Sequence, residues 1–367
     1  GRILGTVTDD SGRALADVTV RVSSPAMIGG DLAGVTGDGG SFQFLGLFPG
    51  SYTLTAELAG FVSQERQEIG VAPGGAAAVL VTMPRSTFAD EIEVVAETPM
   101  VDPTQVNTEQ IFDSEYLQGS AIVSFNRAYQ AILRQAPGVV GGDNPNVFGS
   151  TLADNAIYID GQDTTDPVTA TWGTLFNFDS IAAVEVQTSG FEAEHGRAIG
   201  GIVNLVTRSG GNRFSGSLDL RYRGEAFQES GEHYDANELD SSRRDVSATL
   251  GGPLARDRLW FFAAWQEVSL KSTPSGAPST LDYRGRNFNL KLSWQAGPGW
   301  RAVARIAGSP ADTDHDNASR FVMPEAGSAV RQGTDLYSLE LDGALGETLI
   351  WHTTAGASRS LLDQYPL

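Results

Sequence analysis

The sequence predicts a multi-domain, mainly β chain made of three successive parts: a small β-sandwich, an α+β unit with a small sheet, and a run of long antiparallel strands. Three observations predict it. Short apolar-alternating runs separated by turn residues fill residues 1 to 84; one stretch of helical spacing stands among β-rich runs in residues 111 to 208; and strands of about ten residues recur from 213 to 367. The 367 residues exceed a usual single core, and 41% hydrophobic content is ample for folding.

Composition narrows the function. The 45 acidic residues against 25 basic ones give a formal net charge of −20, which repels phosphate backbones and excludes nucleic acid as an expected partner. Lysine occurs only at Lys271 and Lys291. The absence of cysteine removes disulfides, thiolate metal sites and a thiol nucleophile, and leaves the compartment unread. The sequence begins at Gly1 with no apolar leader, so any export signal is expected to have been removed before this numbering. No run of about 18 apolar residues occurs, so any membrane contact must use β-structure.

In the first part, "RILGTVTD", "VTVRVSS", "SFQFLGL" and "SYTLTAEL" are separated by Ser11-Gly12, Asp38-Gly39-Gly40 and Pro49-Gly50, which supply the backbone conformations of tight turns. Val18, Val20 and Val22 alternate with Thr19 and Arg21, the pattern of a half-buried strand in a small antiparallel sandwich. "GTVTDDSGRALADVTVRV" and "TGDGGSFQFLGLFPGSYTLTAELAGF" resemble the carboxypeptidase regulatory-like (transthyretin-like) domain over nearly all of residues 1 to 84. That resemblance implies a structural or docking module and no peptidase activity.

Residues 85 to 110 are polar and proline-punctuated around one alternating stretch, Glu91, Ile92, Glu93, Val94, Val95 and Ala96. Spacing alone fits a domain connection better than a strand awaiting a partner's sheet edge. In residues 111 to 208, "SFNRAYQAILRQAPGVV" places Phe125, Ala128, Tyr129, Ile132, Leu133 and Ala136 at helical spacing, and Pro137-Gly138 ends the helix. The runs "NAIYIDGQ", "IAAVEVQTSG" and "GGIVNLVTRSG" follow as strands closed by turn residues.

In their order and separations, "AILRQAPGVV", "AIYIDGQ" and "SIAAVEVQTSGFEAEHGRAIGGIVNLVTRSG" resemble the plug domain of TonB-dependent outer-membrane receptors. The resemblance covers about a hundred residues, and it recasts "DEIEVVAE" as the TonB box, making Glu91 to Ala96 the expected TonB-binding residues. It also answers for His195 in "EAEHGR". A zincin needs two histidines four apart on one helix face, and Gly196 opposes a helix there. No Gly-x-Ser-x-Gly elbow occurs, so neither a metal nor a catalytic role is expected for His195, which the resemblance makes a polar loop residue.

From residue 213 the pattern changes. "RFSGSLDLRYR" sets Phe214, Gly216, Leu218, Leu220 and Tyr222 against Ser215, Ser217, Asp219, Arg221 and Arg223, and "NFNLKLSWQ" sets Phe288, Leu290, Leu292 and Trp294 against Asn289, Lys291, Ser293 and Gln295. Strands are expected at about 213–224, 243–254, 258–270, 284–296, 299–309, 332–345 and 347–359, the length a tilted strand needs to cross a bilayer with apolar residues outward. A tight turn at 297–299 and long polar loops at 225–242 and 310–331 fit an outer-membrane barrel. Trp260, Phe261, Phe262, Trp265, Trp294, Trp300, Tyr337 and Trp351 are candidates for interfacial girdles, some of them for packing. "GGPLARDRLWFFAAWQ" resembles early barrel strands of the Oar-like branch of these receptors, which also carry the extra N-terminal sandwich.

The fold class expected is therefore a transthyretin-like sandwich (1–84), a linker with a TonB-box-like segment (85–110), an α+β plug (111–208) and the first strands of an incomplete transmembrane antiparallel β-barrel (209–367). Seven strands fall short of the family's about 22, so the chain is read as the N-terminal part of a longer protein. The resemblance implies transport of a substrate across the outer membrane, driven through TonB with ExbB and ExbD, in contact with outer-membrane lipid, with the sandwich in the periplasm. No cofactor, metal or catalytic residue is expected, and no nucleotide loop is visible. The extracellular substrate is unknown; its expected contacts are Asp143, Asn144, Asn146, Asp163, Asp166 and Trp172, in loops rich in Asn, Asp and Gly. Asp312, Asp314 and Asp316 have the spacing of a calcium loop but lack its glycine and closing glutamate, so an ordinary loop is expected, as it is for Asp160, Asp163 and Asp166. The competing reading is a secreted or periplasmic interaction protein of β-sandwich modules without transport activity.

Overall fold

The computed structural model describes all residues except 25–26, 28–30, 48–49, 72–74, 86–107, 120–129, 142–144, 167–175, 192–197, 225–240, 298–299 and 346–348. Seven strands come first: β1 (Arg2–Asp9), β2 (Thr19–Ser23), β3 (Leu32–Val35), β4 (Ser41–Phe44), β5 (Gly50–Glu57), β6 (Gln64–Val71) and β7 (Ala76–Met83). They form two sheets, ordered β4-β1-β7 and β3-β2-β5-β6. Between them Ile3, Val7, Val20, Tyr52, Leu54 and Val81 make a closed apolar core, and Val18, Val20 and Val22 are all buried as their alternation requires. One expectation is corrected: the sandwich is not wholly antiparallel, because β7 lies parallel to β1 over its full length. The strands between them supply the long crossover that a parallel pair requires.

The central unit comprises β8 (Thr108–Asp113), α1 (Ser114–Gly119), α2 (Gln130–Leu133), β9 (Val139–Val140), β10 (Asn146–Val147), β11 (Ala156–Ile159), β12 (Gln162–Asp163), β13 (Ile181–Ser189) and β14 (Ile202–Thr207). Its five-stranded sheet has the order β12-β11-β14-β13-β8, with β11 and β14 parallel. Both faces are covered, so β13 and β14 read as near-continuous apolar runs, and Val184, Val186, Val203 and Leu205 are buried. Ile132, Leu133 and Ala136 pack into the same core, but α2 ends at Leu133, earlier than the expected stop at Pro137-Gly138, so Ala136 reaches the core from a bend; Phe125, Ala128 and Tyr129 lie outside the described residues. Strand β8 begins inside the stretch expected to be linker, and adds the outer edge of the sheet by pairing with β13.

The third part is one antiparallel sheet: β15 (Ser215–Arg223), β16 (Ser241–Ala255), β17 (Leu259–Ser272), β18 (Leu281–Gly297), β19 (Trp300–Gly308), β20 (Ala311–Asp314), β21 (Ser328–Leu345) and β22 (Leu349–Pro366). The stretch 310–331, expected as loop, contains β20. This short strand pairs with β18 on one side and β21 on the other, the same neighbours as β19. β19 and β20 are thus one line of the sheet, interrupted where Pro310 has no N–H to give the ladder. The break places Asp312 and Asp314 in a strand, and Asp312 accepts a 3.0 Å bond from Arg331 Nε.

The two faces of this sheet differ in kind. Leu218, Leu220, Leu250, Trp265, Phe288, Leu290, Leu292, Trp294, Ile306, Tyr337 and Leu339 are exposed on one, with Leu218 69% accessible. The other carries Asp245, Ser247, Gln266, Asn287, Asn289, Lys291, Ser293 and Arg305, all buried. An aqueous surface would invert this distribution, whereas a membrane barrel demands it. Among the girdle candidates, Trp265, Trp294, Trp300 and Tyr337 are exposed, while Trp260 and Phe262 are buried on the inner face as packing residues. No helix among the described residues is long and apolar enough to cross a membrane, which leaves crossing by strands untouched.

Candidate functional site

The inner face of the sheet, here the wall, is buried because the central unit lies on it. Ala307 of β19 and Leu336 of β21 join the central unit's own apolar core. Around that contact, polar groups from both sides meet. Ser247 Oγ of β16 donates to Asp179 Oδ2 at 2.6 Å, and within the wall Gln266 Nε2 donates to Asp245 Oδ1 at 2.9 Å and Asn287 Nδ2 to Gln266 Oε1 at 3.0 Å. Where the chain leaves the central unit, Asn212 Oδ1 accepts from the Asp257 N–H at 2.9 Å and from the Trp260 indole at 2.8 Å, which fastens the exit to the β16–β17 turn.

The densest charge cluster sits at Asp160, at the end of β11. Its backbone has φ 47 and Gly161 follows with φ 78, a left-handed pair that turns the chain into β12. This turn drives the carboxylate into the wall. Arg305 Nη1 donates to Asp160 Oδ2 at 2.5 Å and Lys291 Nζ to the same oxygen at 3.3 Å. Thr207, at the end of β14, donates to both oxygens, N–H to Oδ1 at 2.8 Å and Oγ1 to Oδ2 at 2.6 Å. Lys291 and Arg305 are register partners on β18 and β19, 5% and 1% exposed. Burial alone pushes the Asp160 carboxyl upward, but the two cations and the Thr207 bonds outweigh it and hold it down at about 2. Among the described residues, every ion pair between central unit and wall converges on this one carboxylate.

Of the residues expected to meet substrate, Asn146, Asp163 and Asp166 are described. Asn146 lies in β10, beside the Asn155 end of β11, where Asn155 holds the Pro145 carbonyl and the Gly201 N–H. Asp163 lies in β12 opposite Tyr158 and accepts from the Thr165 N–H at 2.9 Å, and Asp166 follows it half-buried. Asp143, Asn144, Trp172, His195 and the segment Glu91 to Ala96 lie outside the described residues. One grouping that the sequence did not bring out stands on β21 and β22: ligand atoms of Glu340, Asp342 and His352 all lie within 4.8 Å of one another. There His352 Nδ1 is bonded to Asp342 at 2.7 Å and Nε2 to Thr354 Oγ1 at 3.0 Å, so both ring nitrogens are engaged.

A sheet with apolar residues outward and polar residues turned onto an α+β unit is the fold of TonB-dependent outer-membrane receptors, which this chain matches over part of their length. The E. coli outer membrane transporter YddB superimposes with a TM-score of 0.57 at 16% identity, covering 68% of this chain and 38% of that one. The siderophore receptor PirA of Pseudomonas aeruginosa does so with a TM-score of 0.54 at 19% identity, over 70% and 41%. Residues 2–84 match the carboxypeptidase regulatory-like domain. In sequence, the chain is similar to the TonB-dependent transporter Oar of Myxococcus xanthus, 30% identical over 279 residues. That match takes in 72% of this chain and 26% of Oar, so the chain spans about a quarter of its curated relative. The named relatives are transporters and receptors, not enzymes.

Proposed function

We propose that the chain forms the periplasmic sandwich (1–84), linker (85–110), plug (111–208) and first barrel strands (209–367) of a TonB-dependent outer-membrane transporter. The observation that carries the proposal is the two-faced wall: apolar outward, and inward a polar surface joined to the plug by buried ion pairs. The outer ladders of β15 and β22 have no partner among the described residues, and lipid cannot satisfy such edges, so in this reading further strands close the barrel.

In this reading the linker reaches the periplasm, and TonB, working with ExbB and ExbD, adds a strand to Glu91 to Ala96. Main-chain hydrogen bonds carry such pairing with little demand on side-chain identity, which suits a segment of plain alternation. Substrate binds on the opposite side, at loops that include Asp143, Asn144, Asn146, Asp163, Asp166 and Trp172.

Fractionation of the native host tests the proposal, with detection by antibody against residues 1–84. The expected result is an outer-membrane band far larger than this chain that shifts in mobility on boiling, as a closed barrel does. Removal of residues 91–96 is expected to abolish uptake or export while leaving that band in place. A soluble band of this chain's own size overturns the proposal in favour of an interaction module.

A further inference from the structure

Lys291 and Arg305 hold a feature that their place in the wall does not explain. Every side-chain hydrogen bond they make among the described residues goes to the plug: Lys291 to Asp160 Oδ2, the Thr207 carbonyl at 3.2 Å and Thr207 Oγ1 at 3.0 Å, and Arg305 to Asp160 Oδ2 and the Ile159 carbonyl at 3.1 Å. The wall gives them no acceptor, and Arg305 Nε is buried without a partner. Two cations so placed, on adjacent strands in full register, form a preset pair whose hydrogen-bond acceptors come only from what is laid against it. The wall's nearest carboxylates, Glu340 and Asp342, lie opposite Val303 and Arg301, further toward the β18–β19 turn and beside a cation of their own.

We propose that Lys291 and Arg305 constitute a carboxylate-binding site on the barrel wall, and that Asp160 is its tethered occupant in the arrangement seen here. Asp160 makes the contacts of a ligand: one oxygen shared by both cations, the other oxygen turned to a backbone N–H, and a strained turn that presents it. Resting on the transport reading, the site is bared whenever the plug moves, and it then accepts a carboxylate of the passing substrate at the place Asp160 left.

Chemical rescue tests the site itself. In the full-length protein in detergent, Asp160→Gly removes the carboxylate without adding strain, since glycine adopts this φ freely. Amide exchange over residues 156–163 and 202–207 is then followed in sodium acetate, in acetamide as its uncharged counterpart, and in sodium chloride at equal ionic strength. The expected result is faster exchange in the variant, slowed about tenfold by acetate at ten times its dissociation constant. Acetamide and chloride have no such effect, the wild-type protein does not respond, and Asp160→Gly carrying both Lys291→Met and Arg305→Met is not rescued. Equal effects of acetate and acetamide, or rescue that survives loss of both cations, overturn the proposal. If Asp160→Gly does not assemble, acetate dependence of the refolded yield of Asp160→Ser reads the same site. No TonB or substrate enters the measurement, so its failure leaves the membrane-fraction result standing, and the converse also holds.

Discussion

Replacing Asp160 with Asn keeps the shape of the side chain and removes its charge. The carboxyl is held at about 2 against an ordinary 3.8. That difference corresponds to about 2 kcal/mol in favour of the ionised group in the assembled protein. Asn forfeits this and leaves Lys291 and Arg305 buried with no anion, a loss that costs about 3 to 5 kcal/mol when one partner of a buried pair is deleted. Even the lower figure is large enough to measure. Amide exchange in β11 and β14 is expected to accelerate by about thirtyfold or more, since each 1.4 kcal/mol or so is a factor of ten. Lys291→Met leaves the Arg305 pair in place and is expected to cost less than Asp160→Asn. The pH dependence carries a sign. Because the folded value lies below the unfolded one, the stabilisation is complete above the ordinary carboxylate range and is lost as pH falls toward about 2. Wild-type protection is therefore expected to decline between about pH 4 and 2, where Asp160→Asn stays flat. An acceleration below about threefold, or a Lys291→Met variant worse than Asp160→Asn, refutes the argument.

Three further outcomes follow from the wall. Leu290→Arg, on the outward face of β18, is expected to cost about 2 to 4 kcal/mol in refolding into bilayers. On a soluble sheet the same exposed position would tolerate it within about 0.5 kcal/mol, so a neutral result removes the membrane. Asn212→Ala deprives the Trp260 indole and the Asp257 N–H of their acceptor and is expected to destabilise by about 1 to 3 kcal/mol; unchanged tryptophan emission and unchanged thermal mobility shift speak against the joint. Gly210→Ala sets a methyl against the Phe261 and Gly252 carbonyls, both backbone, and is expected to lower the folded yield in the outer membrane; wild-type yield would show that the crossing has room to give.

Much of this fold is written in its periodicities. Alternation alone located the long strands: the wall has the seven lines expected, and along most of β18 buried and exposed residues alternate strictly, because a side-chain period of two admits one assignment of faces. Several elements escaped, among them β3, β6 and β7 of the sandwich and the short α1, β9 and β10 of the central unit, and two others escaped for identifiable reasons. β20 is four residues of mixed polarity after a proline, and its pairing is decided by the ends of β18 and β21, far away in sequence. β8 is short, and sits where polar and proline residues suggest linker. The Asp160 cluster was half legible. Asp160-Gly161 reads correctly as a turn, and Lys291 stands out as one of two lysines, but their meeting joins residues 131 positions apart. Charge on the inner face of a strand signals a partner without naming it. Only the register of β18 against β19 and the handedness of the turn select Asp160.

The order of the plug sheet gives the cluster a place in the mechanism proposed above. In β12-β11-β14-β13-β8, the strand nearest the linker, β8, is an edge strand paired, among the described residues, to one neighbour only. Asp160 and Thr207 terminate β11 and β14, which lie beyond β13 from that edge and are bound to the wall by charge. In that mechanism a pull delivered through residues 91–96 would meet the edge strand first and would reach the ion pairs only across two further strands. Antiparallel ladder bonds of an exposed edge exchange readily with water, whereas buried charges separate only when something replaces the lost anion. The two ends of the sheet thus differ in what releases them: extension suffices for β8, and the Asp160 end requires a replacement for its carboxylate or protonation of it. This is why chemical rescue and low pH, rather than force alone, are the sharper probes of how the plug is held.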